Sequence, residues 1–386
     1  MNTVCEINKC AGCMACFEVC RQNAIRIEDS LKAYNAVIDQ EKCVHCNACH
    51  RVCPNNSSVD YVKPIKWYQG WAEDKECRIA GSSGGIAQAL AHYIISVGGC
   101  VCSCVFDKGE FVFRIVESEE EIKRFVGSKY VKSNPKGIYR LIRKRLDENK
   151  QVLFIGLPCQ VAAVQKLIPE ELKSNLCTVD LICHGTPSPQ ILSRFLADHE
   201  CPIDKLEEIE FRSKARFQVR EGLKSIGAKG VRDRYTSAFL SGISYTDNCY
   251  SCIYADLARV SDVTLGDSWG SELDDNEKEK GISLILCQTE KGIKLIESAG
   301  ICLHDVNLEK AVQHNHQLER PSSEPNKRAF FFEKLKQGER FDDVVYKCYP
   351  RECLRQDIKA ILVKLGIMEG VTYSIEVLER RECEKD

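Results

Sequence analysis

The sequence predicts an α+β protein, a small unit built on cysteines followed by a larger α/β domain. Three observations carry that prediction. Cys10, Cys13, Cys16 and Cys20 are separated by two, two and three residues, and Cys43, Cys46, Cys49 and Cys53 repeat the pattern in the same order. Gln151-Val152-Leu153-Phe154-Ile155-Gly156 reads as a strand that Leu157-Pro158-Cys159-Gln160 turns into a helix from Val161 to Leu167. Gly81-Ser82-Ser83-Gly84-Gly85 feeds directly into Ile86 to Ile95, whose apolar spacing is helical.

The repeated cysteines specify chemistry as well as fold. Three closely spaced thiolates wrap one corner of an iron–sulfur cube, and the fourth cysteine of each run completes the other cube, as in bacterial two-cluster ferredoxins. One 4Fe-4S cluster therefore takes Cys10, Cys13, Cys16 and Cys53, and the second takes Cys43, Cys46, Cys49 and Cys20. Pro54 follows the last ligand as that motif expects, whereas Arg21 stands where the first run would carry proline. The alternative is two zinc sites, but zinc usually takes separated cysteine pairs, often with histidine.

Composition bounds the partners. In 386 residues, 54 Lys and Arg face 56 Asp and Glu, so no global charge excess points to nucleic acid or an anionic membrane. The 24 cysteines are not preceded by a cationic and then apolar leader, which predicts reduced thiols in the cytoplasm. Ile86 to Val97, interrupted by Gln88 and His92, is too short and too polar to insert into a bilayer, so any membrane association is expected through a partner. Of the cysteines outside the two runs most are expected to pack, among them Cys100, Cys102 and Cys104, which share one face of a strand.

In chain order, residues 1–62 form the ferredoxin unit, each cysteine run being followed by a β-like piece, Ala24 to Ile27 and Val59 to Val62. Lys63-Pro64 with Trp67 and Trp71 marks the crossing into the larger domain. The glycine-rich turn at 81–85 places small residues and the first-turn donors of a helix where an oxyanion such as a flavin pyrophosphate fits, although such turns are also common structural caps. Val101 to Phe106 and Phe111 to Val116 are strands, and Ser118 with Glu121 reads as a capping box. Gly127 to Ser133 is a polar loop with two cations, Lys129 and Lys132, and Pro135 to Leu146 is helical.

Cys159 falls at a helix N-terminus, where a thiolate is stabilised and its pKa is expected to fall. The strand Thr178 to Ile182 runs into Cys183-His184-Gly185 at the edge where open α/β sheets bind ligands. Asn248-Cys249-Tyr250-Ser251-Cys252 brings the count to four, the number one more cube needs; a nucleophilic Cys159 and a zinc site remain rivals on spacing alone. Phe211 to Arg234 is basic and interspersed with glycine, either a solvated face or a segment that holds an anion. Ser261 to Gly270 is a strand ending in a polar turn, Glu272 to Lys280 a charged loop, and Gly281 to Cys287 a strand. Glu290 to Ala299, Asn326 to Gln337 and Cys353 to Leu365 are helices, and the tail from Glu379 is expected to fray.

With Gly81-Ser82-Ser83-Gly84-Gly85, Leu157-Pro158-Cys159-Gln160, Cys183-His184-Gly185, the Cys249 and Cys252 pair and Gly266-Asp267-Ser268-Trp269-Gly270 in register, the chain resembles the coenzyme F-420 hydrogenase/dehydrogenase beta-subunit family. The resemblance covers roughly 65–345 and sets the expected domains at 1–62, 63–345 and a helical extension at 346–386. It implies FAD held by Ser83, Gly84, Gly85, Lys129 and Ser133, and a third 4Fe-4S cluster on Cys159, Cys183, Cys249 and Cys252. It also implies an oxidoreductase passing electrons between a ferredoxin-like donor or acceptor and a two-electron organic substrate, with His184, Lys214 and Asp267 as candidates for moving protons. The partners expected are a redox protein or partner enzyme subunit and a small-molecule substrate. The alternative is an electron-transfer module with no substrate of its own, wiring a partner enzyme.

Overall fold

The computed structural model describes residues 2–57, 59–368 and 370. Each cysteine run leads into one short helix, Ala15–Val19 and Ala48–Val52. Both helices are entered through a left-handed residue at the same place in the repeat, Met14 at φ 58 and Asn47 at φ 56. A non-glycine residue there costs ~1–2 kcal/mol, so its recurrence marks the sharp bend that wraps each run. Between the runs, β1 (Ile25–Asp29) and β2 (Tyr34–Ile38) form an antiparallel hairpin with Ile25 opposite Ile38. The β-like piece expected at Val59 to Val62 is not a strand: β2 already occupies the β1 edge, and Val62 instead bridges to Arg259 of the larger domain.

The expected crossing segment is itself a strand, β3 (Lys66–Ala72). The hairpin β4 (Cys100–Asp107) and β5 (Glu110–Val116) follows, then β6 (Val152–Gly156) and β7 (Leu176–Leu181). β8 (Glu210–Ser213), β9 (Arg216–Glu221) and β10 (Lys224–Ser225) make a separate small antiparallel sheet. β11 (Val263–Asp267), β12 (Ser283–Cys287) and β13 (Ile301–His304) complete an eight-stranded sheet ordered β13-β3-β12-β11-β7-β6-β4-β5. β4, β6, β7 and β11 are parallel neighbours, and the flanking strands run antiparallel. β6 is buried along its whole length, as a parallel strand covered on both faces requires.

Helix Ile86–Ser96 covers one face of the sheet with Leu295 and Ile296. On the opposite face, Tyr139 and Ile142 of Ile138–Asp147 and Val161 of Pro158–Leu167 share a core with Ala15 and Val52 of the ferredoxin unit. Cys100 and Cys102 are fully buried in that core. The two units are thus joined by a common apolar interior.

Three further expectations change. The basic stretch 211–234 is largely the small sheet, with Arg212 and Arg220 in ion pairs to Asp267 and Glu210. The charged segment 272–280 contains a helix, Asp275–Lys280, because the Asp274 side chain accepts from the Glu277 N–H at 3.0 Å. The boundary at 345 falls inside helix Phe341–Cys348, whose Phe341, Val344 and Val345 lie in one core with Phe331 and Leu335. The tail from Glu379 lies outside the described residues.

Candidate functional site

The short helices of the ferredoxin unit bring several of the cysteines near one another. Cys13 has Cys16, Cys10 and Cys53 as its thiol neighbours, and Cys49 has Cys20 and Cys43. Cys46 is exposed. Burial first, then the surrounding thiolates, push Cys13 and Cys16 well above the ordinary thiol range. Among the described residues no three His, Cys, Asp or Glu side chains are grouped closely enough to hold a single metal ion.

A second group of cysteines lines a cavity of about 390 Å³ where the ferredoxin unit meets the large domain. Cys159 lies in the first turn of Pro158–Leu167, directly after β6. Cys183 lies just beyond the end of the adjacent parallel strand β7, and Cys249 and Cys252 arrive on the turn 247–252. All four line the cavity, together with Lys9, Asn55, Lys132, His184 and Tyr254. Cys249 Sγ accepts from the Thr186 N–H at 3.4 Å, and hydrogen bonds of this kind to sulfur are one means by which a protein adjusts a cluster. The helix N-terminus does not lower the Cys159 thiol as expected. Burial raises the pKa, opposed by the Lys132 charge, with Cys252, Cys13 and Cys249 adding to the rise. Burial likewise pushes Cys252 up to about 11.

The residues expected at a flavin are only partly arranged to meet one. Gly85 caps helix Ile86–Ser96 at φ 79, and a Cβ there would stand 2.4 Å from the Cys77 carbonyl oxygen. A Cβ on Gly84 would stand 2.5 Å from the Gly70 oxygen. Both glycines are therefore needed by the protein's own backbone. Ser83 Oγ donates to the Ile282 carbonyl and the Gly84 N–H to Ser283 Oγ. Lys129 Nζ donates to the carbonyls of Phe125, Val126 and Gly127 at 2.8–3.0 Å, and its burial lowers its pKa to about 8. Ser133 Oγ accepts from Gln160 Nε2. The N–H groups of Ile86 and Ala87 make no hydrogen bond among the described residues, so the helix start keeps the donors and dipole that suit a phosphate.

The candidate proton carriers are neighbours. Asp267, at the end of β11, takes a forked ion pair from Arg212 with both N–O distances 2.7 Å. Arg212 was not singled out from the sequence; its pairing needs β8 beside the end of β11. Lys214 Nζ donates to the carbonyls of Arg78, Gly81 and Ser83, beneath the glycine-rich turn. Burial, then the Arg78 and Arg212 charges, lower its pKa to about 7. His184 Nδ1 pairs with Gln317 Nε2 at 2.8 Å, and burial followed by His316 lowers its pKa to about 4. Asp267 and Arg212 are both charged neighbours of His184 and of Lys214. Lys132 and Tyr254 were also missed as site residues; Tyr254 is buried against Cys159, Cys13 and Cys252.

Residues 9–57 match the family described as 4Fe-4S dicluster domain. Residues 67–136 match coenzyme F420 hydrogenase/dehydrogenase, beta subunit N-term, and residues 149–306 match the C terminus of the same subunit. Together the two halves cover more than half of the chain. The chain belongs to the coenzyme F420 hydrogenase/dehydrogenase beta-subunit family. A curated relative, the coenzyme F420-dependent sulfite reductase of Methanocaldococcus jannaschii, is 24% identical over 331 residues. The match takes in 80% of this chain and 49% of the relative, so the chain spans about half the length of the curated relative it matches. A solved chain from the F420-reducing NiFe hydrogenase complex of Methanosarcina barkeri is 18% identical, over 72% of this chain and 94% of that chain, with a TM-score of 0.47. Within the family this member carries iron–sulfur electron-transfer function through its dicluster domain. No helix among the described residues is long and apolar enough to cross a membrane.

Proposed function

We propose that the chain is an iron–sulfur flavoprotein oxidoreductase. Electrons pass between a redox protein or partner enzyme subunit and the ferredoxin unit, and between the large domain and a two-electron organic substrate. The observation that carries this reading is the cavity in which Cys159, Cys183, Cys249 and Cys252 converge against the first cysteine run. Four thiols are the donor set of a third 4Fe-4S cluster, and these four line one cavity, Cys249 buried and the other three half-buried. FAD belongs at the start of helix Ile86–Ser96, supported by the free N–H groups of Ile86 and Ala87 beside Ser83, Gly84 and Gly85. A flavin supplies the exchange between hydride and single electrons.

The chain's own residues would order that chemistry. Lys214 ties the glycine-rich turn to the small sheet through its three carbonyl acceptors, and Arg212 fixes Asp267 beside it. Asp267, Lys214 and His184 are the group that holds or moves a proton at the substrate. Coenzyme F420, named in the relative, is the first two-electron partner to assay. One observation favours the module without a substrate of its own: Lys129 and Lys214 already spend their donors on protein carbonyls.

Iron and flavin per chain, measured on one anaerobic preparation, separate the two. About twelve irons with one flavin support the oxidoreductase, and Cys159→Ser should then remove about four irons. About eight irons and no flavin after reconstitution would leave the electron-transfer module.

A further inference from the structure

Lys132 is 5% exposed. Its backbone N–H donates to the Pro187 carbonyl at 2.9 Å, fastening this segment beside the Cys183 turn. Its side chain crosses to the ferredoxin unit, where Cδ lies against Gly12 and Nζ donates to the Ala11 carbonyl at 3.0 Å, within the first cysteine run. The ammonium also stands 5.2 Å from the centre of the Tyr34 ring, and Tyr34 is bridged to Cys10. Lys132 lines the junction cavity together with Cys159, Cys183, Cys249 and Cys252.

Among the described residues no ion pair joins Lys132 to a carboxylate, and its Nζ hydrogen bond goes to the Ala11 carbonyl. A buried ammonium without an anion is costly, by several kcal/mol even after relaxation. The nearest candidates for its counter-charge are thiolates on both sides: Cys10 in the ferredoxin unit and Cys159 and Cys252 in the cavity. A cluster held by four thiolates is anionic and becomes more so on reduction, so a fixed cation beside it favours the reduced form.

We propose that Lys132 is a positioning cation shared by the cluster of Cys10, Cys13, Cys16 and Cys53 and the site of Cys159, Cys183, Cys249 and Cys252, raising the reduction potential of each and marking this junction as the electron route between the two units. The second half rests on the third cluster proposed above. In each transfer the donor loses one electron and the acceptor gains one, and no covalent bond forms or breaks. The cluster of Cys20, Cys43, Cys46 and Cys49 lies outside this arrangement and serves as the outer member of the series.

The test is an anaerobic redox titration followed by electron paramagnetic resonance on the full chain, on Lys132→Met and on Lys132→Arg, with iron counted in each. The junction signals are recognised by their alteration in Cys13→Ser and Cys159→Ser. Lys132→Met should lower both junction potentials by at least a tenfold change in reduction equilibrium, ~59 mV for one electron. The outer cluster should stay in place, and Lys132→Arg should restore the potentials. Unshifted junction potentials, or equal shifts in all clusters, overturn the proposal. If Lys132→Met loses iron from the junction sites, retention in Lys132→Arg supports the counter-charge role and loss in both overturns it. A wild-type chain with about eight irons removes the third cluster, and the shift at the Cys13 cluster then decides the role of Lys132 alone.

Discussion

Tyr139 donates its phenolic hydrogen to the carbonyl oxygen of Cys13 at 2.5 Å. The donor sits on the helix Ile138–Asp147, and the acceptor lies in the middle of the first cysteine run, so one hydrogen bond ties sheet domain to ferredoxin unit. With Lys132 on Ala11 and Tyr254 against both Cys13 and Cys159, it fixes which cluster faces the cavity.

Tyr139→Phe keeps the ring in its core but strips the Cys13 carbonyl of that donor. An unsatisfied buried acceptor costs ~1–3 kcal/mol. Urea unfolding of the anaerobic protein should show that loss, with iron content unchanged.

Gly85 is held at φ 79 with the Cys77 carbonyl where a Cβ would go. Gly85→Ala should destabilise the fold by more than the ~1–2 kcal/mol that the left-handed conformation alone costs, because Cys77 must also move. A flavin lost in such a variant therefore reports on folding, and its circular dichroism melt must be compared before its flavin content is interpreted.

Arg212→Ala should leave the Asp267 carboxylate partly buried without its fork. Breaking a buried pair in this way costs ~3–5 kcal/mol. Arg212→Lys should recover only part, since an ammonium cannot hold both oxygens in the planar geometry. Equal unfolding midpoints for the Lys variant and the native chain would refute the bidentate account.

His199 Nε2 lies 3.0 Å from Asp342 Oδ2, and that hydrogen bond raises the His199 pKa above its ordinary value, opposed by burial and aided by Asp342, Asp233 and Asp198. A folded-state pKa above the unfolded one means that this stabilisation is fully present below the ordinary histidine pKa of about 6.5 and is lost as pH rises through the raised value. The pair is a quarter exposed, so its contribution is about 1 kcal/mol or less. His199→Gln should flatten that part of the stability profile as pH rises above the ordinary histidine pKa of about 6.5, and a native-like slope in the variant would assign it to another group.

The iron–sulfur unit was legible because its information is local. Two gaps of two and one of three place thiolates on one tight bend, and the chain itself supplies the reach. The same holds for β6 and the helix after it, where a continuous apolar run meets Pro158. The small sheet at 210–225 was not legible: Arg212 and Arg220 look like solvated cations until Asp267 and Glu210, distant or on a neighbouring strand, come alongside. The lowered Cys159 pKa was misjudged for a related reason, since the helix dipole is visible in sequence and burial is not.

The sequence by itself determined the α+β class and the family, and it singled out the eight ferredoxin cysteines and the four further cysteines that the family resemblance implies. Tertiary structure decided that those four share one cavity, that the cavity lies against the Cys13 side of the ferredoxin, and that Lys132 stands between them. Spacing along a chain constrains what one bend can reach. Which separated segments meet depends on strand order and on the apolar face shared by Tyr139, Val161 and Ala15, and those are properties of the packed sheet.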